Sequence, residues 1–375
     1  MTKKQYSASG ITFCRAKATD DHELRALLRN NPMDAWVNIS LEREPCFFNG
    51  EGLMGPSVAV IARKEEKPHV AVGMYTCSLL SAHINGRAER INYLGGLRVH
   101  PHYRLKLSIL KNGFASIEPL IGGIGDEILP FQLTSIAKEN RRARRLLEAR
   151  LKGMPIYTPA GELTTLAIST RQGRAKGLLQ QAKPADIPSI VDFYNRQAQS
   201  FQFSPVLNEA WLAGLNGDKG LTIEDFWLFK KGGELHGCLA IWDQRSFKQT
   251  VIYGYRFPLN KVYRLYNIFA CLSGRVKLPA VGSRLEQVFL AFVAFSDKTS
   301  SSAVLAVVRE GLSKARQKGA EAGMIGLSPA NPLFNILQDH LPALTYTTCL
   351  ETVVQPGQSS PILAGRPVQP EAALL

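Results

Sequence analysis

Cysteine is sparse and unpaired in this sequence: six residues, Cys14, Cys46, Cys77, Cys238, Cys271 and Cys349, lie scattered over 375, and no two form a CxxC pair. That spacing supports neither a structural zinc site nor a disulfide framework, so reduced, mostly buried thiols are expected, with no metal. No uninterrupted apolar run reaches membrane-spanning length, and the opening MTKKQYSASG lacks the apolar stretch of a secretory signal. The expectation is a cytoplasmic protein with no membrane partner. Acidic residues are also short, at 31 against 45 lysines and arginines, which leaves a formal charge of +14. Such a surplus attracts anions at long range, whether nucleotide, nucleic acid or membrane surface, and does not choose among them.

At this length two domains are possible, and a hydrophobic content of 45% is ordinary for a soluble globular protein. The second half restates the first. FCRAKATDDHELRALL, from Phe13, aligns without a gap on LQQAKPADIPSIVDFY, from Leu179, pairing Ala16 with Ala182, Lys17 with Lys183 and Asp20 with Asp186. In each copy a short strand ends at the lysine, the aspartate stands where an N-cap belongs, and apolar residues recur at helical spacing. Segments from Ser57 and from Phe226 then read as two hairpins with charged turns, KEEK and KKGGE, and with Gly73 and Gly237 early in the returning strands. Last, SIAKENRRARRLLE, from Ser135, matches GLSPANPLFNILQ, from Gly326, each a strand end, an asparagine and a helix. Three matches in one order imply tandem duplication.

The elements expected of the first unit are a strand over 11–17, a helix over 20–30, a hairpin over 57–83, a strand over 88–99, a helix over 104–119, a strand over 128–136, a helix over 139–151 and terminal strands to about 170. The basic run 171–177 suits a linker between a first domain, 1–170, and a second, 178–354, with a central strand over 288–295 and a helix over 302–315. Residues 355–375, rich in proline and glycine, read as an irregular tail that wraps back across the domains or frays. On the helix after Asn140, basic residues from Arg141 to Lys152 accompany Leu146 and Leu147, which are expected to face inward. A solvated face and a phosphate-docking face are both open there; no aromatic RNP motif or GXXG loop accompanies it.

The most informative stretch is YLGGLRVHPHYR, Tyr93–Arg104: a short apolar run with two glycines that ends in His-Pro, as a strand does when another backbone comes close and the chain then turns. Leu107, Leu110, Phe114 and Ile117 follow at helical spacing and place a helix N-terminus beside the strand end. These residues resemble the GCN5-related N-acetyltransferases (GNAT family), whose fourth strand and following helix hold acetyl-CoA. The family pattern of Arg or Gln, two residues, Gly, one residue, then Gly or Ala is met at Arg104 and departs at Leu107 and Ile109. The resemblance implies an α+β fold of two tandem GNAT-like domains, each a mixed, mostly antiparallel sheet flanked by helices. It also implies acetyl-CoA or another acyl-CoA as co-substrate, bound by Leu97, Arg98 and Val99 on the strand, by Arg104, Leu105, Lys106, Leu107, Ser108 and Ile109 at the pyrophosphate, and by Asn140.

Amide transfer needs a base for the acceptor ammonium and an acid for the leaving thiolate. Matching NRRARRLLE to the family's N-x-x-A-x-x-L-Y-E puts Leu147 where the acidic Tyr stands; the second unit has Gln338 there, and an amide is no proton donor. Tyr93 and Glu89, near the central strand, remain as candidates, with core packing the other reading of Tyr93. His100 and His102 stand two apart around a proline without a third ligand, and WDQRSFKQTVIYGYRFP, Trp242–Pro258, reads either as an acceptor pocket wall or as a hairpin between domains. The chain ends in AALL, and tandem GNAT enzymes that use a C-terminal carboxylate make Leu375 a third candidate by resemblance. The resulting function is an acyl-CoA-dependent N-acyltransferase acting on a small-molecule or peptide amine. A degenerate ligand-binding or scaffold pair and a transferase using charged tRNA are the alternatives, and a homodimer is open.

Overall fold

The computed structural model describes residues 5–33, 36–104, 106–122, 125–358 and 360–375. The first half runs β1 (Gln5–Ala8), β2 (Ile11–Arg15), α1 (Asp21–Arg29), β3 (Val37–Glu42), β4 (Ser57–Lys64), β5 (Lys67–Ile84), β6 (Arg87–Val99), α2 (Leu107–Ala115), α3 (Ile117–Ile121), β7 (Ile128–Ala137), α4 (Arg141–Leu147) and β8 (Ile156–Ser169). The second runs β9 (Leu179–Gln181), α5 (Ile187–Ala198), α6 (Glu209–Ala213), β10 (Phe226–Lys231), β11 (Glu234–Trp242), β12 (Gln249–Tyr255), α7 (Leu259–Ser273), β13 (Gln287–Phe295), α8 (Ser301–Gln317), β14 (Ala322–Leu327), α9 (Pro332–His340) and β15 (Ala343–Val354).

The repeat read from sequence is physical. In each unit the first strand leads to a lysine whose backbone N–H donates to the aspartate three residues on, Lys17 to Asp20 at 2.7 Å and Lys183 to Asp186 at 3.0 Å. Each aspartate also pairs with a cation from the following hairpin, Asp20 with Arg63 at 2.7 Å and Asp186 with Lys230 at 2.9 Å. The aspartate thus closes a 3-10 turn and stands at the N-cap position expected of it, its carboxylate bonded back to the lysine N–H instead of forward into the helix. Helices α1 and α5 then bury the faces that their spacing foretold, Leu24, Leu27 and Leu28 in one and Ile190, Phe193 and Tyr194 in the other.

Two expected helices come out shorter. The helix over 104–119 breaks at Ser116, because Pro119 has no N–H to give the carbonyl of Ala115 and can sit only in the first turn of a new helix, α3. The helix over 139–151 stops at Leu147, with Arg150 and Gly153 at positive φ. In so short a helix only one of two adjacent leucines can point inward: Leu147 is buried and Leu146 is exposed, against the expectation for Leu146.

The two units do not keep separate sheets. One 13-stranded sheet runs β1-β2-β4-β5-β6-β7-β15-β8-β14-β13-β11-β10-β9. The last strand of the second half, β15, lies antiparallel between β7 and β8 of the first, and β8 reaches across to pair with β14. A second link is a two-stranded ribbon of β3 and β12, one strand from each half. Around the 171–177 run the backbone is also held, with Arg174 N donating to the Arg309 carbonyl at 2.9 Å and Leu178 N to the Glu310 carboxylate at 2.9 Å. Hence a single tryptic cut at Arg174 or Lys176 is expected to leave the halves together in gel filtration until denaturant unfolds them. Two native peaks after a confirmed cut would contradict the exchanged strands as the joint.

Candidate active site

The parallel pairing of β6 with β7 runs from Arg90 to Leu94 on β6 and stops. Beyond it the two strands part. On the other edge of β6, Thr76 pairs with Gly95 and Met74 with Arg98, so Tyr75 faces two residues, Gly96 and Leu97, in a β-bulge. Gly96 has φ +61°, and a Cβ there would press on the Thr76 side chain at 3.1 Å. The left-handed backbone and the crowding together require glycine. Gly73, opposite the strand end, is needed for a different reason, since a Cβ would meet the Arg98 carbonyl at 2.9 Å.

The parted strands open onto a cavity of about 540 Å3. Gly95 to Val99 from β6 and Ser135 to Ala137 from β7 stand at its wall, and Phe13, Ile109, Phe114, Leu147 and Tyr157 carry the lining into the apolar core of the first unit. From the second half come Lys248, just before β12, Thr250 and Ile252 of β12, then Leu278, Met324 and Leu344. The segment Trp242–Pro258 forms no hairpin of its own: β12 pairs between the halves with β3, while alternate residues face the cavity.

Among the residues expected from sequence, Tyr93, Leu97, Arg98, Val99, Ile109, Asn140 and Leu375 all reach the cavity lining. Tyr93 is buried, its hydroxyl 2.8 Å from Ser135 Oγ, and burial raises its pKa. Burial lowers the pKa of the Arg98 guanidinium, whose Nη1 donates to the Leu97 carbonyl at 2.9 Å. Asn140 caps α4, accepting from Ala143 N at 3.2 Å. Other candidates lie elsewhere. Glu89 sits near the start of β6, roughly 25 Å along the strand from Leu97, and is not on the lining. Lys106 and Ser108 line a separate pocket of about 170 Å3 at the start of α2, where Leu107 is the first helical residue. Arg104 bonds Asn31 at 2.8 Å, and Leu105 lies outside the described residues. His100 and His102 stack their rings at 5.3 Å in a 3-10 turn.

Lys248 was not singled out from sequence, since nothing in its neighbours marks it. Its Nζ donates to the main-chain oxygen of Leu375 at 2.9 Å. Burial and the Arg43 charge push its pKa down to about 8.

The second unit repeats the cleft with a different content. Its bulge lies on β13, where Cys238 pairs with Ala294 and Ala240 with Ala291, and the residue at positive φ is Phe292, φ +51°. The rings of Phe226 and Trp242 stack on Phe292 at 5.8 Å. Pairing with β14 stops at Phe289 and Met324. The tail then enters the gap. Glu371 accepts from Phe292 N at 2.7 Å, Gln369 donates to the Gly326 carbonyl at 2.8 Å and accepts from Asn331 Nδ2 at 2.8 Å, and Ala373 is fully buried in the second core. The tail is irregular, as expected, yet it is packed throughout this stretch.

Burial holds the Glu371 carboxyl at about 7, with backbone N–H groups opposing the rise. Between the usual carboxyl value of about 4.3 and 7 the folded chain keeps a proton there that the unfolded chain has shed, so stability falls as pH rises through this window and levels off above it. Glu351, buried in β15 near Glu148, is likewise raised to about 7 and adds to the slope. The urea midpoint of the wild type is expected to drop between pH 5 and pH 7.5. Glu371→Gln should drop less steeply; an unchanged slope in that variant would refute the assignment.

No family model and no curated protein matches the sequence. Solved structures do match. A Saccharomyces cerevisiae N-myristoyltransferase with bound myristoyl-CoA aligns at TM-score 0.63 and 12% identity, over 96% of this chain and 82% of that one. The chain has the N-myristoyltransferase fold. A second structure of that yeast enzyme with myristoyl-CoA gives TM-score 0.59 at 11% identity, over 96% and 89%. A GCN5-related N-acetyltransferase from Anabaena variabilis aligns at TM-score 0.46 and 14% identity, over 91% and 72%. At these identities the likeness is one of fold.

Proposed function

We propose that the protein is an acyl-CoA-dependent N-acyltransferase whose donor carries a long acyl chain. The observation that carries this reading is the cavity, bounded by the β6 bulge and by the apolar core of the first unit. An acetyl group, the donor expected from the family resemblance, gives such a lining little to bury. Each methylene placed against it contributes about 0.8 kcal/mol, so affinity should rise roughly tenfold for every two carbons until the space is filled. The yeast structures of this fold hold myristoyl-CoA, in keeping with a long donor.

The thioester carbonyl lies at the bulge, where the Gly96 N–H corresponds to the Phe292 N–H that binds the Glu371 carboxylate in the second unit. The acceptor amine comes from the side of β12 and attacks the thioester carbon. Its proton passes to the Leu375 carboxylate, which Lys248 holds in place, and the thiolate leaves and takes up that proton, so the carboxylate is restored; the Tyr93–Ser135 hydroxyls stand at the wall as hydrogen-bond donors to the leaving sulfur. The products are the amide and free CoA. The pyrophosphate lies at the first turn of α2 beside Lys106 and Ser108, so Lys106→Ala should weaken CoA binding about tenfold, ~1.4 kcal/mol. Equal affinity in that variant would move the phosphates elsewhere.

Titration calorimetry with CoA and a series from acetyl- to palmitoyl-CoA, followed by thiol release over a panel of amines, tests the whole. No binding at millimolar donor would end the proposal. Affinity that ignores chain length would restore acetyl-CoA, and tight binding without release on any amine would favour a ligand-binding protein.

A further inference from the structure

Helix α7 buries one face and leaves a second apolar face uncovered. Tyr263, Tyr266 and Ala270 turn inward, with Tyr263 stacked on Tyr255 of β12 at 5.1 Å. On the opposite side Leu265, Ile268 and Leu272 recur at three- and four-residue spacing and are 67%, 63% and 84% exposed. Apolar side chains on either side of the helix are exposed as well. Phe257, just before it, is 75% exposed, and Trp36 is held alongside by the bond from Arg256 N to the Trp36 carbonyl, 3.0 Å. Val281, in the loop after the helix, is also exposed, and that loop is tied to β12 by Gly282 N donating to the Ile252 carbonyl at 2.8 Å. A helix face of exposed apolar side chains on a folded chain marks an interaction site.

Charge decides the occupant. From Arg256 to Lys277, around the helix, the sequence has five lysines and arginines and no aspartate or glutamate. Lys261 and Arg264 flank the apolar stripe, and Lys277 follows it, all exposed. Two copies of this face would bring like charge against like charge. An anionic lipid surface meets both halves of the pattern, the rings and leucines entering the acyl boundary while the cations meet the headgroups. We propose that α7 and the adjoining end of the β3–β12 ribbon dock the protein on anionic membranes. Among the described residues no helix is long and apolar enough to cross a bilayer; this face lies on one. Lys277 belongs also to the cavity lining, so docking would bring one wall of the cavity to the lipid surface. The inference stands apart from the acyl-transfer reading.

Co-sedimentation of the full chain with vesicles of phosphatidylcholine alone, or with one-third phosphatidylglycerol, is the test. The wild type should pellet with the anionic vesicles and be released several-fold by added salt. Leu265→Glu with Leu272→Glu, both at exposed positions, should lower partition at least tenfold with an unchanged melting temperature, and Lys261→Glu with Arg264→Glu should remove the salt-sensitive part. Equal pelleting of the leucine variant, or no pelleting of the wild type, overturns the proposal. A wild-type dimer in solution that the same leucine changes split into monomers would also overturn it, by assigning the face to a second copy.

Discussion

Valine at Gly96 is expected to cut acyl transfer by about 100-fold or more, the usual cost of losing one preorganised donor to a developing oxyanion. Two effects act together. The left-handed backbone at φ +61° is unfavourable for any residue with a Cβ, by about 1–2 kcal/mol, and the side chain would be driven against Thr76. The bulge relaxes by turning, and the Gly96 N–H that we propose for the thioester oxygen turns with it. Folding should survive with a melting temperature lowered by several degrees, because β6 remains paired with β5 along most of its length. Near-normal CoA release by the valine variant would remove the bulge from the mechanism. Gly96→Ala, with the same backbone problem and less bulk, should fall between.

Shortening the chain by Leu375 alone is expected to cost a similar factor in kcat with little loss of stability. The new terminal carboxylate would belong to Leu374 and stand about 3.3 Å back along the chain, beyond the tolerance of a positioned group, for which 1 Å can cost about 100-fold. Leu375 is half-buried, and the tail residues that anchor the second unit, Glu371 and Ala373, remain. Removal of 370–375 is a different experiment: it takes out buried Ala373 and the partner of Phe292 N, and should lower the melting temperature outright. A semisynthetic Leu375 carboxamide keeps the contacts and removes the charge, so full activity in that form would dismiss the carboxylate as proton acceptor.

Much of the fold could be read from the sequence because local patterns carry it. The spacing of Leu24, Leu27 and Leu28, the charged hairpin turns and the strand of Tyr93 each specify an element on their own. The exchange of β8 and β15 could not be read, since alternation along a strand tells which face is buried and says nothing of which strand lies alongside. The site was half legible. The two glycines at 95 and 96 announced a close approach, and Leu97 to Val99 do stand at the cavity wall, but the bulge itself shows only when the partner register is known. The cavity itself leaves no trace in sequence: Phe13, Ile109 and Phe114 look like core residues, and they are core residues that also border a space. Helix α7 was missed altogether, its two apolar faces blurring the single stripe that periodicity detects.

The entry of the tail into the second cleft makes the two units unequal in their dynamics. Glu371 and its neighbours are tethered to the gap they fill by only about seventeen residues from β15, Gln355 to Glu371, so the wedge acts at a high effective concentration and is rarely absent. That unit keeps its parted strands braced at all times. In the first unit bracing must come from whatever the cavity receives, so ligand should slow amide exchange along β6 and β7 and leave β13 and β14 as they were. The chain would then carry its own internal reference: one cleft clamped nearly always, its twin clamped only while a ligand is bound.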